Sequence, residues 1–198
     1  MRIHILDKKS FLWELGWMKS IEQIRPVNAK GKPVPWMNYS FVEFLTKRLK
    51  PSFRVFEFGS GNSTVYFSEY VASIKSVEYD EKWFNIVQLN LPSNAELIFK
   101  EKDFDGNYCR TAIGMGQQFE MIIVDGRDRV NCLIQSIPAL TSDGVLILDD
   151  SHEAKYQKAI LVMENNGFKA LTISGIKPYS SQVASSTIFY RNENCVDL

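Results

Sequence analysis

The octapeptide EFGSGNST, Glu57 to Thr64, sets Gly59 and Gly61 directly behind a β-branched and aromatic run, RVFEF. Glycines at such a point let the chain turn sharply and let a ligand lie against backbone. Open α/β sheets bind ligands beyond the carboxyl ends of their strands, beside the first one. A dinucleotide loop favours a third glycine for close packing beside a pyrophosphate, and here Asn62-Ser63-Thr64 stands in that place. The loop is therefore a poor phosphate cradle and a tolerable one for a nucleoside ligand without phosphates. Glu78 ends the next apolar run, 17 residues after Gly61 (78 − 61). A carboxylate there can accept both ribose hydroxyl protons.

Two later runs also end in acids. VDGRDR follows one and carries Asp125, Arg127, Asp128 and Arg129; LDDSH follows the other and carries Asp149, Asp150 and His152. Asp125, Asp149 and Asp150 at one sheet edge repel one another unless positive charge sits among them. Either Arg127 and Arg129 neutralise them, or a divalent ion such as Mg²⁺ binds through the carboxylates and keeps waters. The plainer arrangement has Asp128 capping a helix and Asp125 paired with an arginine. His152 is placed to act as a general base toward a hydroxyl, the other histidine being His4 at the terminus. Asp125 can double as that base if no metal binds.

These residues need strands to carry them, and the hydrophobic pattern supplies strands. From Phe53 onward short apolar runs alternate with amphipathic segments, the pattern of repeated βαβ units. Strands are expected at 54–58, 74–78, 96–100, 119–124, 145–148, 170–174 and 187–191. The intervening helices include 63–71, one capped by Asp80 with Trp83, Ile86 and Val87 inward, and one with Val130, Leu133, Ile134 and Ile137 on a face. A helix with Tyr156, Ala159, Ile160 and Met163 inward ends at Asn166-Gly167. Before the first strand, Ser40 and Glu43 form a capping box for a helix to about Leu49. The last two strands have no helix between them and close most simply as an antiparallel hairpin. The expected architecture is a Rossmann-like, doubly wound seven-stranded sheet, mostly parallel with a terminal antiparallel hairpin.

That order of elements resembles the class I S-adenosylmethionine-dependent methyltransferases over roughly Phe53 to Arg191. The resemblance implies that Glu57, Gly59, Ser60, Gly61, Asn62 and Ser63 hold the methionine part of S-adenosylmethionine. It further implies that Glu78 holds the ribose, Tyr79 lies near the adenine, and Asp103 contacts the adenine amino group, with Asp105 as substitute. MIIVDGRDR followed by GVLILDDSH is similar to the catechol O-methyltransferase group, whose metal ligands match Asp125, Asp149 and Asp150. This chain has Asp150 where that group has Asn. The implied activity is O-methylation of a small molecule or glycan hydroxyl. A noncatalytic cofactor-binding module and a nicotinamide-dependent oxidoreductase are the alternatives, the latter opposed by the missing third glycine and the hairpin.

Composition bounds the partners. The 198 residues carry 23 Lys+Arg against 23 Asp+Glu, so neither the basic field of a nucleic-acid binder nor an acidic tail is present in the totals. With 45% hydrophobic and 23% charged residues, one domain burying about 70% of its unfolded surface is expected. Residues 1–51 would form a helical lid or extension and 53–191 the cofactor-binding core. No apolar run suits a membrane helix, and Asp7, Lys8, Lys9 and Glu14 break any signal-peptide core, so a cytoplasmic protein is expected. Cys109, Cys132 and Cys195 lack CxxC spacing and read as buried free thiols. Two segments are expected to cover the acceptor: Pro35 to Tyr39, rich in aromatics, and a mobile flap from Gly175 to Ser186.

Overall fold

The computed structural model describes residues 7–198, so His4 lies outside the described residues. Seven strands form one sheet in the order β3-β2-β1-β4-β5-β7-β6. They are β1 (Arg54–Phe58), β2 (Ser73–Glu78), β3 (Ala95–Phe99), β4 (Phe119–Val124), β5 (Leu140–Leu148), β6 (Lys169–Ile176) and β7 (Val183–Tyr190). The first five pair in parallel, and β7 runs antiparallel between β5 and β6. The helices are α1 (Phe11–Leu15), α2 (Trp17–Gln23), α3 (Tyr39–Thr46), α4 (Asn62–Ser68), α5 (Glu81–Gln88), α6 (Thr111–Gly114), α7 (Arg129–Ser136) and α8 (Gln157–Asn165). The expected architecture is the observed one.

Strand periodicity divides the core in two. Val55, Met121, Ile123 and Ile147 face α3 and α4, packing on Phe41, Leu45 and Phe67. Phe56, Phe58, Ile122, Leu146 and Leu148 face the other way, against Ala112, Cys132, Leu133, Ala159 and Met163 of α6, α7 and α8. Because side chains alternate across a strand, continuous apolar runs mark strands covered on both faces. Burial pushes the thiols of Cys109 to about 11 and Cys195 to about 12, so they stay neutral within this packing.

Several boundaries depart from expectation. The 142–144 turn is instead part of β5, and β7 begins at Val183, which shrinks the expected flap to residues 177–182. Serines suggested a loop, yet Ser174 pairs with Ser185 and Thr172 with Thr187 across the hairpin, each at 2.8 Å. Trp83 and Ile86 do not point inward; of that helix face only Val87 is buried. Asp80 does cap α5, accepting from Trp83 N at 3.0 Å.

The cap of α3 is Asn38, not Ser40: the Asn38 side chain accepts from Phe41 N at 2.9 Å. Its amide also donates to Ile173 O and to Ser186 Oγ, both at 3.1 Å, so one buried residue ties α3 to β6 and β7. Losing a cap and a buried amide's partners costs about 2 kcal/mol. Asn38→Ala is therefore expected to lower the melting temperature by roughly 4–8 °C, whereas Ser40→Ala at an exposed position shifts it by about 2 °C or less. Thermal unfolding followed by circular dichroism checks both.

Candidate functional site

The turn after β1 is built by close backbone approach. Gly59 N donates to Val77 O at 2.9 Å, which carries the chain from β1 over the end of β2. Gly59 has φ +92°, and a Cβ there would lie 3.2 Å from Gly126 N. A Cβ on Gly126 would lie 2.8 Å from Gly59 N and 2.2 Å from the Tyr108 hydroxyl. The two loops touch: Gly126 has no room for a side chain, and at Gly59 the positive φ and the tight approach both disfavour one. The exposed Trp83 lies across Gly61 and donates its indole N–H to Ser60 O at 2.8 Å, which is why it leaves the core.

Glu57 stands beneath this turn, fully buried on the α4 face. Its Oε2 accepts from Thr64 (2.6 Å) and Ser76 (2.8 Å), while its buried Oε1 has no partner. Burial pushes the carboxyl above the usual carboxylate range against the pull of the neighbouring hydroxyls. An orphaned buried acceptor is costly unless a ligand donates to it.

Glu78, also buried, accepts from Tyr79 N (2.8 Å) and Asp80 N (2.9 Å) at Oε1, and from Ser60 Oγ (2.9 Å) at Oε2. These bonds fix the carboxylate at the strand end and leave lone pairs for a diol. Arg127 donates to the Tyr79 hydroxyl at 2.9 Å and so serves the expected adenine side, not the acid cluster. Asp103 holds its own loop: its oxygens accept from Asn107 N (2.6 Å) and Tyr108 N (3.0 Å), bonds that keep it below the usual carboxylate range. Asp105 pairs with Arg110 at 2.8 Å. Ser63 sits at the start of α4 beside Glu57, but Asn62 turns away and donates to Pro26 O at 2.7 Å, fastening the N-terminal extension over the glycine turn.

Asp125, Asp149 and Asp150 converge as expected, with carboxylate oxygens within 4.8 Å of one another. Arg129 bonds Asp125 at 2.8 Å and Asp150 at 3.4 Å, and also donates to the Asp149 carbonyl at 2.6 Å. The second cation is Lys177, from the loop after β6, at 2.9 Å from Asp149 and 2.5 Å from Asp150. Asp149 has no solvent exposure and also accepts the Ser186 hydroxyl at 2.6 Å. Burial and the Asp149 charge push Asp125 upward, and burial likewise raises Asp149. Burial alone would lower Lys177, but the Asp149 and Asp125 carboxylates outweigh it and keep the ammonium charged. Asp128 does not cap α7 by its side chain; it binds Asp105 N and Asn131 instead.

His152 stands outside this network. Its Nδ1 accepts the Ser185 N–H at 3.2 Å, and the residue is exposed. A neutral ring in that bond carries its proton on Nε2, which leaves no free acceptor nitrogen for base chemistry. Sequence reading missed Lys177, Asn38 and Ser186, which nevertheless complete the cluster. The aromatic segment does reach the site: Trp36 stacks on Tyr179 at 5.2 Å and 16°, and donates to Pro178 O at 3.3 Å.

No protein-family model matches the sequence, and no curated protein is similar to it by sequence. Solved structures do share its fold. A candidate caffeoyl-CoA O-methyltransferase from Staphylococcus aureus is 12% identical with a TM-score of 0.61, covering 93% of this chain and 94% of that one. A precorrin-6y C5,15-methyltransferase from Geobacter metallireducens is 14% identical with a TM-score of 0.59, covering 77% and 87%. An rRNA methylase from Streptococcus thermophilus is 12% identical with a TM-score of 0.56, covering 75% and 92%. The chain has the class I methyltransferase fold, one that serves acceptors of several kinds in these neighbours. No helix among the described residues is long and apolar enough to cross a membrane.

The contact of the two loops is directly testable. Gly126→Ala forces a methyl into backbone and is expected to cost about 1–3 kcal/mol, read as a lower urea midpoint. Gly114→Ala, with open space around its Cβ in α6, is expected to be neutral or stabilising by about 0.5–1 kcal/mol.

Proposed function

We propose that the chain is an S-adenosylmethionine-dependent methyltransferase acting on an oxygen of a small molecule or glycan. The observation that carries the reading is the buried Glu57, one oxygen unpartnered, beneath the glycine turn and near the strand-end carboxylate of Glu78. The turn and Glu57 fit the cationic methionine end of the cofactor. Glu78 fits the ribose diol, and Tyr79, braced by Arg127, the base. Asp103, its oxygens already accepting backbone N–H groups, can meet an adenine amino group through remaining lone pairs.

The bound sulfonium supplies an activated methyl group, so the protein's work is alignment and proton removal. Asp125 is the base in this reading. It adjoins the cofactor turn through Gly126, its side chain is 25% exposed, and its raised proton affinity suits the removal of a hydroxyl proton near neutrality. Arg129 holds it in place.

Two measurements test the parts separately. Calorimetric titration with S-adenosylhomocysteine is expected to show one site, weakened at least tenfold, about 1.4 kcal/mol, by Glu78→Gln. Absence of heat in the wild-type protein, or tight NADH binding instead, overturns the cofactor assignment. Asp125→Asn is expected to bind S-adenosylhomocysteine within about threefold of wild type and to lose about 10²- to 10⁴-fold in methyl transfer. A variant that transfers methyl at the wild-type rate would remove Asp125 from the reaction.

A further inference from the structure

Asp125, Asp149 and Asp150 occupy the positions that the sequence resemblance assigns to ligands of a divalent ion, yet five of their six carboxylate oxygens are already engaged. Asp149 Oδ1 accepts from Ser186 and Asp149 Oδ2 from Lys177. Asp150 Oδ1 pairs with Lys177 and Oδ2 with Arg129, while Asp125 Oδ1 pairs with Arg129. A hard divalent cation needs such oxygens at about 2.0–2.6 Å. It cannot take them while an ammonium bridges two of the three carboxylates, because like charges at that separation repel strongly. The donor set does not fit a divalent ion with Lys177 in place.

Lys177 is also held too firmly to be an incidental surface partner. Its side chain is only 11% exposed. The loop that carries it is tied on two sides, by the Trp17 indole to Ser180 O at 2.9 Å and the Trp36 indole to Pro178 O at 3.3 Å. Trp36 stacks on Tyr179, and its ring centroid lies 5.7 Å from Lys177 Nζ. Tyr179 sits at φ +43°, a conformation that costs free energy for a bulky residue and persists where its surroundings impose it.

We propose that Lys177 is the resident cation of this cluster, filling with its ammonium the place a divalent ion takes in the metal-dependent arrangement. The cluster is then a closed, metal-free centre assembled by the β6–β7 hairpin. On the methyl-transfer reading above, which this inference rests on for its consequence alone, the positive charge met by the acceptor oxygen comes from the chain itself.

The test needs no acceptor. Mn²⁺ is titrated into the wild-type protein, Lys177→Met and Lys177→Met/Asp149→Asn, with bound ion read by electron paramagnetic resonance. The wild type is expected to bind no stoichiometric Mn²⁺ below about millimolar, the weak end of oxygen-ligand sites. Lys177→Met is expected to bind one ion at least tenfold more tightly, and the double variant to lose that gain. Lys177→Gln serves the same purpose should the Met variant not fold. Stoichiometric micromolar binding by the wild type that Asp149→Asn abolishes overturns the proposal, as does a folded Lys177 variant no tighter than wild type. S-adenosylhomocysteine titration of the same samples reports the cofactor reading independently, so the two can fail separately.

Discussion

Asp149 is a carboxylate without solvent contact, and such a group is tolerable only when its charge and its lone pairs are matched. Each partner that matches it arrives from a different part of the chain. Lys177 comes from the loop after β6, Ser186 from β7, and Arg129, which binds the Asp149 carbonyl, from α7. Asn38 of the N-terminal extension donates to the same Ser186 hydroxyl. Reversing β7 makes this possible: Leu148 pairs with Thr187, so one step further the antiparallel register sets Ser186 beside Asp149. A parallel strand there would run the other way and deliver its own end residues. Removing one partner from a buried pair costs about 3–5 kcal/mol, enough to bind hairpin, extension and sheet into one cooperative edge.

A second constraint lies one strand over. The turns after β1 and β4 touch through Gly59 and Gly126, so the glycine turn and the acid cluster are held in register by backbone contact. Asp125 N donates to Phe58 O at 3.0 Å and Asp149 N to Val124 O at 3.2 Å, which carries this registry along the edge from β1 to β5. Glu57 stores cost at this point. Its unpartnered oxygen and raised proton affinity weaken the free protein and are relieved by a donor in the turn.

The strands and the acids at their ends were legible because buried parallel strands write themselves as apolar runs, and each run's end is visible as a polar break. Glu57, Glu78, Asp125 and Asp149 stand where those breaks put them. What was hidden depends on pairing between distant segments. Ser185 and Ser186 look like a loop by composition and are buried in β7, where their hydroxyls pair with Ser174 across the hairpin and with Asp149. Lys177 carries no local signal, since a lysine before Pro178 is ordinary loop chemistry until the hairpin folds back over β5. Trp83 was misplaced because helical spacing cannot show that an indole N–H has an acceptor, Ser60 O, outside the core. Ser40 and Glu43 satisfied the capping pattern, but Asn38 had three bonds to make and won the helix start.

The N-terminal extension follows from the same logic. Among the described residues it contributes no strand, yet Asn62 binds Pro26 O, Asn38 binds Ser186, and Trp17 and Trp36 bind the loop that carries Lys177. It thus spans from the glycine turn to the acid cluster and braces the hairpin from outside the sheet. Trp36 remains 50% exposed although it stacks on Tyr179 and lies near Lys177. The strand ends carry the acids, and the extension holds the 177–182 loop beside them.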